Sequence, residues 1–152
     1  MTKIKDDAEE KDKALAEMKR KMGANPFINE PICKYILNVV NENSFKAKVN
    51  FRIYEEFALN KNQIMMLKNA IDRHYDNFTQ TLVKKYPELT VDDIDYCCLY
   101  LLGLKDADVS ALMQRAYPTV YQRSKKLKRI FAITGSLQSA VTTMASQLHK
   151  NT

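Results

Sequence analysis

Turn-forming residues are scarce in this chain, and their scarcity limits the folds that it can adopt. Only 3 Gly and 4 Pro occur among 152 residues. A many-stranded sandwich or barrel needs a turn about every 8–12 residues, and glycine and proline are the usual turn residues. Because 45% of the residues are hydrophobic, the chain is nevertheless able to bury a core. We therefore expect an all-α protein.

The first 25 residues predict a helix that buries little surface by itself. Residues 6–22 are rich in Ala, Glu, Lys and Met, which favour helix formation. Their apolar stripe is thin and consists of Ala8, Leu15, Met18 and Met22. We therefore expect residues 1–25 to form a helical extension or one strand of a coiled coil.

Residues 26–88 predict a helical linker or dimerisation segment, because apolar residues recur there at helical spacing. We expect three helices, which run from Pro26 or Pro31 to Val40, from Phe45 to Leu59, and from about Ile64 to just before Pro87. The third of them is one continuous helix, with a single stripe of Ile64, Leu67, Ile71, Phe78 and Leu82. For residues 49–54 a strand is the alternative, because these residues are β-branched and aromatic.

Residues 89–152 predict a helix-turn-helix domain followed by a terminal helix. Thr90 and Asp93 have the spacing of a capping box, which marks the start of a helix. Gly103 stands where a left-handed residue is expected after that helix. Three more helices follow: the first is capped by Asp106 or Asp108, the second begins at Pro118, and the third is capped by Ser136. Three short helices joined by tight turns, with a basic helix last, are the plan of a helix-turn-helix unit.

Positive charge is concentrated near the C-terminus. The net charge is +6, yet residues 1–108 carry 17 basic and 18 acidic side chains, whereas residues 109–152 carry 7 basic and no acidic ones. Five of these seven basic residues lie between Arg123 and Arg129. Such an element indicates a polyanionic partner, for example nucleic acid or an anionic membrane surface. A solvated helix face that binds nothing is the alternative.

At about 100° per residue, the helix that begins at Pro118 separates an apolar face from a basic one. The inward face consists of Val120, Ser124, Leu127 and Phe131. Lysine and arginine neutralise DNA phosphates, glutamine and arginine reach base edges in the major groove, and a threonine near the helix start binds a phosphate oxygen. The pattern thus predicts DNA contacts from Thr119, Gln122, Arg123, Lys125, Lys126, Lys128 and Arg129.

Short motifs in this region carry a resemblance to a known family. They are Leu89-Thr90 in the opening helix, Gly103 at the first turn, Asp108-Val109-Ser110-Ala111-Leu112 in the short helix, and Thr119-Val120 at the start of the basic helix. With this pattern, residues 89–131 resemble the LuxR/GerE-type helix-turn-helix of bacterial transcription regulators. The sequence also resembles one bacterial subgroup of this family, in which tetratricopeptide repeats and a coiled coil precede the domain. The residues that carry this resemblance are 86–90 and the Cys97-Cys98 pair.

The resemblance implies a sequence-specific DNA-binding transcriptional regulator, with residues 118–131 inserted in the major groove of double-stranded DNA. It places DNA contacts at Tyr121, Gln122 and Lys125. We expect a homodimer or higher homo-oligomer, because a dimer matches a two-fold operator. The alternative is a helical module for protein–protein interaction or oligomerisation that does not bind DNA.

Several other classes of function find no support in the residues. Cys33, Cys97 and Cys98 form no disulfide framework, so we expect a reducing, cytoplasmic setting. Neither a metal-ligand spacing nor a glycine-rich phosphate loop nor a nucleophile motif is present. We therefore expect no metal, no cofactor and no enzymatic activity. No stretch reaches the about 18 apolar residues of a membrane span.

Overall fold

The structure is a computed structural model that describes the backbone of residues 26–150 and the side chains of residues 27–147. The extension or coiled coil predicted for residues 1–25 lies outside the described residues. Within 26–150 the chain is all-α, as predicted, and contains no strand. None of the helices in this range has the length and apolar character needed to cross a lipid bilayer.

Seven α-helices follow one another in the described range. They are α1 (Pro31–Glu42), α2 (Lys61–His74), α3 (Phe78–Lys85), α4 (Val91–Leu101), α5 (Asp106–Met113), α6 (Tyr117–Phe131) and α7 (Leu137–Lys150). Two 3₁₀ helices, Pro26–Asn29 and Phe51–Phe57, precede α1 and α2. The bounds of α1, α4, α5, α6 and α7 agree with the predicted helices to within a few residues.

The central helix of the core is α4. Its buried residues are Asp93, Ile94, Tyr96, Cys97, Cys98, Leu99, Tyr100 and Leu101. From Tyr96 to Leu101 every residue is buried, so this part of the helix needs neighbours all round, and α4 packs against α2, α3, α5 and α7. One cluster of buried hydrophobic residues runs from Phe27 to Ala145. Side chains from both sides of the predicted boundary at residue 88 therefore share a single core, while the division into three domains stays a prediction.

The predicted helix-end signals at Thr90, Gly103 and Ser136 are confirmed, whereas the short helix α5 is capped by Lys105 rather than by Asp106 or Asp108. The Thr90 hydroxyl accepts a hydrogen bond from the Asp93 amide at 3.1 Å, and the Asp93 carboxylate accepts one from the Thr90 amide at 2.9 Å. Gly103 has a φ of 81°, which is the left-handed conformation that glycine adopts without strain. The Ser136 hydroxyl accepts a hydrogen bond from the Ser139 amide at 3.1 Å at the start of α7.

The prediction of one continuous helix before Pro87 is wrong, because the chain breaks between α2 and α3. Asp76 and Asn77 have φ values of 49° and 60°, and a right-handed helix does not accommodate two successive left-handed residues. The Asp72 carboxylate accepts hydrogen bonds from the amide and hydroxyl of Thr79 at 2.9 and 2.7 Å. These bonds stabilise the start of α3 after the break.

The prediction of a helix over residues 45–59 is also wrong, and the alternative strand does not form. This stretch contains only the 3₁₀ helix Phe51–Phe57, which has no buried residue. Phe45, Val49, Ile53 and Phe57 recur every four residues and would form the inward stripe of such a helix, yet Ile53 is 60% exposed. A cluster of aromatic rings replaces the stripe, with the Phe45 centroid 4.7 and 5.5 Å from those of Tyr54 and Phe57.

Two substitutions in α2 test whether this helix belongs to the shared core. Leu67→Ala is expected to lower the free energy of unfolding by about 2–5 kcal/mol, because it opens a cavity at a side chain with no exposed surface. Met65→Ala is the matched control, since Met65 is 60% exposed on the same helix, and its effect is expected within about 0.5 kcal/mol. Denaturant unfolding followed by circular dichroism measures both. Equal losses contradict the packing of α2.

Candidate nucleic-acid interface

Helices α4, α5 and α6 follow one another through short turns that side chains hold in place. The Tyr100 hydroxyl donates to Asp106 Oδ1 at 2.7 Å and joins α4 to the start of α5. Gln114, with a φ of 52°, ends α5 in the left-handed conformation. Its side-chain amide donates to the carbonyls of Ala111 and Phe51 at 2.9 and 3.1 Å. The turn between α5 and α6 is thereby tied to the 3₁₀ helix that precedes α2.

The predicted inward face of α6 is confirmed. Its four residues, Val120, Ser124, Leu127 and Phe131, are all buried. They pack α6 against α5 and α7, and the Phe131 ring also lies edge-on to Tyr86 at 4.9 Å between centroids. Because this face is buried over the whole length of the helix, the opposite surface of α6 has a defined orientation toward solvent.

Two of the predicted DNA-contacting residues bind a carboxylate of the protein itself. Arg123 donates to Asp93 Oδ1, and Lys126 Nζ lies 2.9 Å from Asp93 Oδ2. The Asp93 side chain has no exposed surface. The guanidinium carbon of Arg123 also lies 4.7 Å from the centroid of the Tyr96 ring, a cation–π distance. We call Asp93, Arg123 and Lys126 the Asp93 cluster.

The Asp93 cluster connects the start of α4 to one edge of α6. Burial by itself raises the pKa of the Asp93 carboxyl, but hydrogen bonds from Thr90, Lys126 and Arg123 outweigh this effect and leave that pKa below its ordinary value. The carboxylate therefore stays ionised at neutral pH. Asp92 is a further carboxylate near Arg123, at 3.9 Å from its guanidinium.

The other six predicted contact residues form a separate surface of α6. Five of them, Thr119, Tyr121, Gln122, Lys125 and Arg129, are exposed, and Lys128 is half-buried. No carboxylate of residues 27–147 forms an ion pair with Lys125, Lys128 or Arg129. We call these six residues the free surface of α6. It presents three cations to solvent, with the amide of Gln122 beside them.

An aromatic ladder lies along one side of the free surface. The rings of Tyr117 and Tyr121 stack at an interplanar angle of 12°, with their centroids 6.3 Å apart. Lys125 Nζ lies 5.2 Å from the centroid of the Tyr121 ring. The spacing of four residues places the three side chains above one another on the helix. The Tyr121 ring thus contacts Tyr117 on one side and the Lys125 ammonium group on the other.

Asp93 is the site residue whose second role the sequence analysis missed. Its spacing from Thr90 predicts a capping carboxylate, which is confirmed, but it does not predict the partners on α6. A signal was present, because Asp93 precedes Cys97 and Leu101 by four and eight residues and therefore continues the buried face of α4. A carboxylate on a buried face needs positively charged partners. The basic helix α6 supplies them.

The described residues hold no group of three or more His, Cys, Asp or Glu side chains placed to bind a metal ion. All three cysteines are buried free thiols. Burial raises the pKa of Cys33 and of Cys97 to about 12, so both stay protonated at neutral pH. Thiolate chemistry is therefore disfavoured at these two positions.

Removal of the Asp93 carboxylate tests its contribution to folding. Asp93→Ala is expected to lower the free energy of unfolding by about 3 kcal/mol, because Arg123 and Lys126 lose their shared partner and α4 loses its capping box. Asp92→Ala is the matched control, since this neighbouring carboxylate is 58% exposed, and its effect is expected below about 1 kcal/mol. Denaturant unfolding at neutral pH measures both.

The stability gap between the wild type and Asp93→Ala also depends on pH. A carboxyl group with a lowered pKa in the folded state stabilises the fold fully above its ordinary pKa of about 4. That contribution is lost as the pH falls from there through the lowered folded-state pKa. The gap is therefore expected to be constant above about pH 5 and to shrink below it. A gap of the same size at about pH 5 and pH 3 contradicts the lowered pKa.

Neither a protein family, nor a curated protein, nor a solved structure matches this chain. The two features that bear on function are the free surface of α6 and the Asp93 cluster at the edge of the same helix.

Proposed function

We propose that this protein is a sequence-specific DNA-binding transcriptional regulator whose helix α6 enters the major groove. The observation that carries the proposal is the free surface of α6. Three cations that pair with no carboxylate of residues 27–147 lie on it, together with the exposed polar side chains of Thr119 and Gln122. A basic helix face with interspersed hydrogen-bonding groups suits a groove lined by phosphates and base edges.

Each class of side chain on the free surface has a place in this proposal. Lys125 and Lys128 bind phosphates, because an ammonium group interacts with them as a compact point charge. Arg129 and Gln122 are suited to base edges, since arginine pairs with guanine and glutamine with adenine. Thr119, exposed in the first turn of α6, is suited to a phosphate oxygen at the rim of the groove.

The order of the three helices supports the proposal. In a helix-turn-helix unit the second helix of the pair lies in the groove, and the helix before it packs across its inward side. Here α5 packs against α6, and α4 contacts α6 through the Asp93 cluster. The resemblance of residues 89–131 to the LuxR/GerE-type domain implies the same function, in a cytoplasmic protein. The proposed DNA contacts are the six residues of the free surface.

Charge reversal on the free surface tests this proposal. The double variant Lys125→Glu, Arg129→Glu is expected to bind a pool of random-sequence DNA duplexes about 100-fold more weakly, because two phosphate or base contacts become repulsive. A matched control is Lys34→Glu, Lys48→Glu, which changes the net charge equally at two exposed lysines outside α6. Fluorescence anisotropy at several salt concentrations gives the affinities. Equal losses in both variants contradict the assignment of α6.

A second proposal concerns assembly. We propose a homodimer, because a two-fold protein reads two half-sites and doubles the phosphate contacts. The neighbouring side chains of Met65 and Met66 are exposed, which favours α2 as part of the surface through which two copies associate. The same surface would serve the alternative function, a helical oligomerisation module that does not bind DNA. These side chains are 60% and 50% exposed, and large apolar side chains of this kind are frequent in interfaces.

Sedimentation velocity tests the proposed homodimer. We expect the wild-type chain to sediment as a dimer and the variant Met65→Glu, Met66→Glu to sediment as a monomer, because charges are costly in the interior of an interface. Val83→Glu is the matched control, since Val83 is an apolar residue of α3 with 48% exposure. A wild-type monomer contradicts the homodimer, and a dimeric double variant contradicts the role of α2.

A further inference from the structure

The cations of α6 fall into two groups with different surroundings. Lys125 and Arg129 are exposed on the free surface. Arg123 and Lys126 retain 24% and 38% side-chain exposure, yet both bind the fully buried carboxylate of Asp93. Solvent reaches these two side chains, so burial alone does not keep them from a polyanion. What distinguishes them from Lys125 and Arg129 is their pairing with Asp93.

The two groups are neighbours on the helix. Lys125 and Lys126 are adjacent in sequence, and about 100° separates successive side chains around a helix. A DNA duplex that contacts the free surface therefore passes close to Lys126 as well. Without the carboxylate of Asp93, α6 would present five cations to that duplex instead of three.

Phosphates compete poorly with Asp93 for Arg123 and Lys126. The Asp93 carboxylate has no exposed surface in the fold, and it loses two charged partners if Arg123 and Lys126 turn away. A buried charge that loses its partners is strongly unfavourable. The amide of Thr90 also holds the carboxylate in place at 2.9 Å, and the Tyr96 ring lies against the Arg123 guanidinium.

We propose that Asp93 limits the electrostatic affinity of α6 for DNA by withholding Arg123 and Lys126 from the phosphates. The inference rests on the proposed DNA-binding function and adds a determinant that lies outside the DNA interface. Non-specific binding is almost entirely electrostatic, and each phosphate contact adds about 0.9 to the salt dependence of the affinity. Base contacts from Gln122 and Arg129 are unaffected by Asp93. Asp93 therefore lowers the salt-dependent part of the affinity and leaves the base contacts in place.

Two adjacent lysines provide the direct test. Affinity for a random-sequence duplex is measured as a function of KCl concentration for the wild type, Lys125→Gln and Lys126→Gln. Lys125→Gln is expected to reduce the slope of log affinity against log salt by about 0.9, whereas Lys126→Gln is expected to leave it within about 0.3 of wild type. Equal reductions in the two variants would overturn the inference.

The reverse experiment releases the two cations. Asp93→Asn is expected to increase the salt slope by up to about 1.8 and to tighten binding to random-sequence DNA. The triple variant Asp93→Asn, Arg123→Gln, Lys126→Gln is expected to restore the wild-type slope. A purely structural role for Asp93 predicts weaker binding with an unchanged slope, and that result would overturn the inference.

Controls separate folding from binding. All variants are measured below their melting temperatures, as determined by circular dichroism, and if Asp93→Asn does not fold, the comparison of Lys125→Gln with Lys126→Gln decides alone. A wild-type chain that shows no salt-dependent DNA binding refutes the proposed function, and this inference with it. DNA binding that loses the same slope in Lys126→Gln as in Lys125→Gln refutes only the role of Asp93.

Discussion

The burial of every residue from Tyr96 to Leu101 in α4 is the constraint on which the other helices depend. Eight of the 11 residues of this helix are buried, so its neighbours must cover it on every side. Helices from the middle of the chain and from its C-terminal part both do so. The position of α6 follows from the same constraint, because α5 and α7, which flank α4, also cover the inward face of α6.

A single carboxylate on α4, that of Asp93, fixes the orientation of α6 relative to α4. Asp93 caps its own helix through Thr90 and binds Arg123 and Lys126 across the interface. Hydrophobic packing alone is tolerant of small rotations, whereas charge-assisted hydrogen bonds are directional. The charge pattern of α6 therefore has two parts, one used within the fold and one that is available to a partner.

Much of this arrangement could be predicted from the sequence, and the exceptions have physical causes. The inward face of α6 was predictable because its four residues recur at helical spacing. The start of α4 was predictable because a capping box is a local sequence signal. The break in the helix at Asp76 and Asn77 could not be predicted, because the apolar stripe continues through these two left-handed residues without interruption. Ile53 fits a stripe but is exposed, since Phe45 packs against other rings nearby. The partners of Asp93 lie about 30 residues away in sequence, beyond any local pattern.

The aromatic ladder on α6 has a consequence for the entropy of binding. A free lysine samples many rotamers, and fixing it against a phosphate costs up to about 2 kcal/mol of side-chain conformational entropy. Lys125 already rests over the Tyr121 ring at 5.2 Å, and Tyr121 in turn rests on Tyr117. The Lys125 side chain is thus partly ordered before any partner binds. The two tyrosines therefore preorganise the ammonium group of Lys125 for binding.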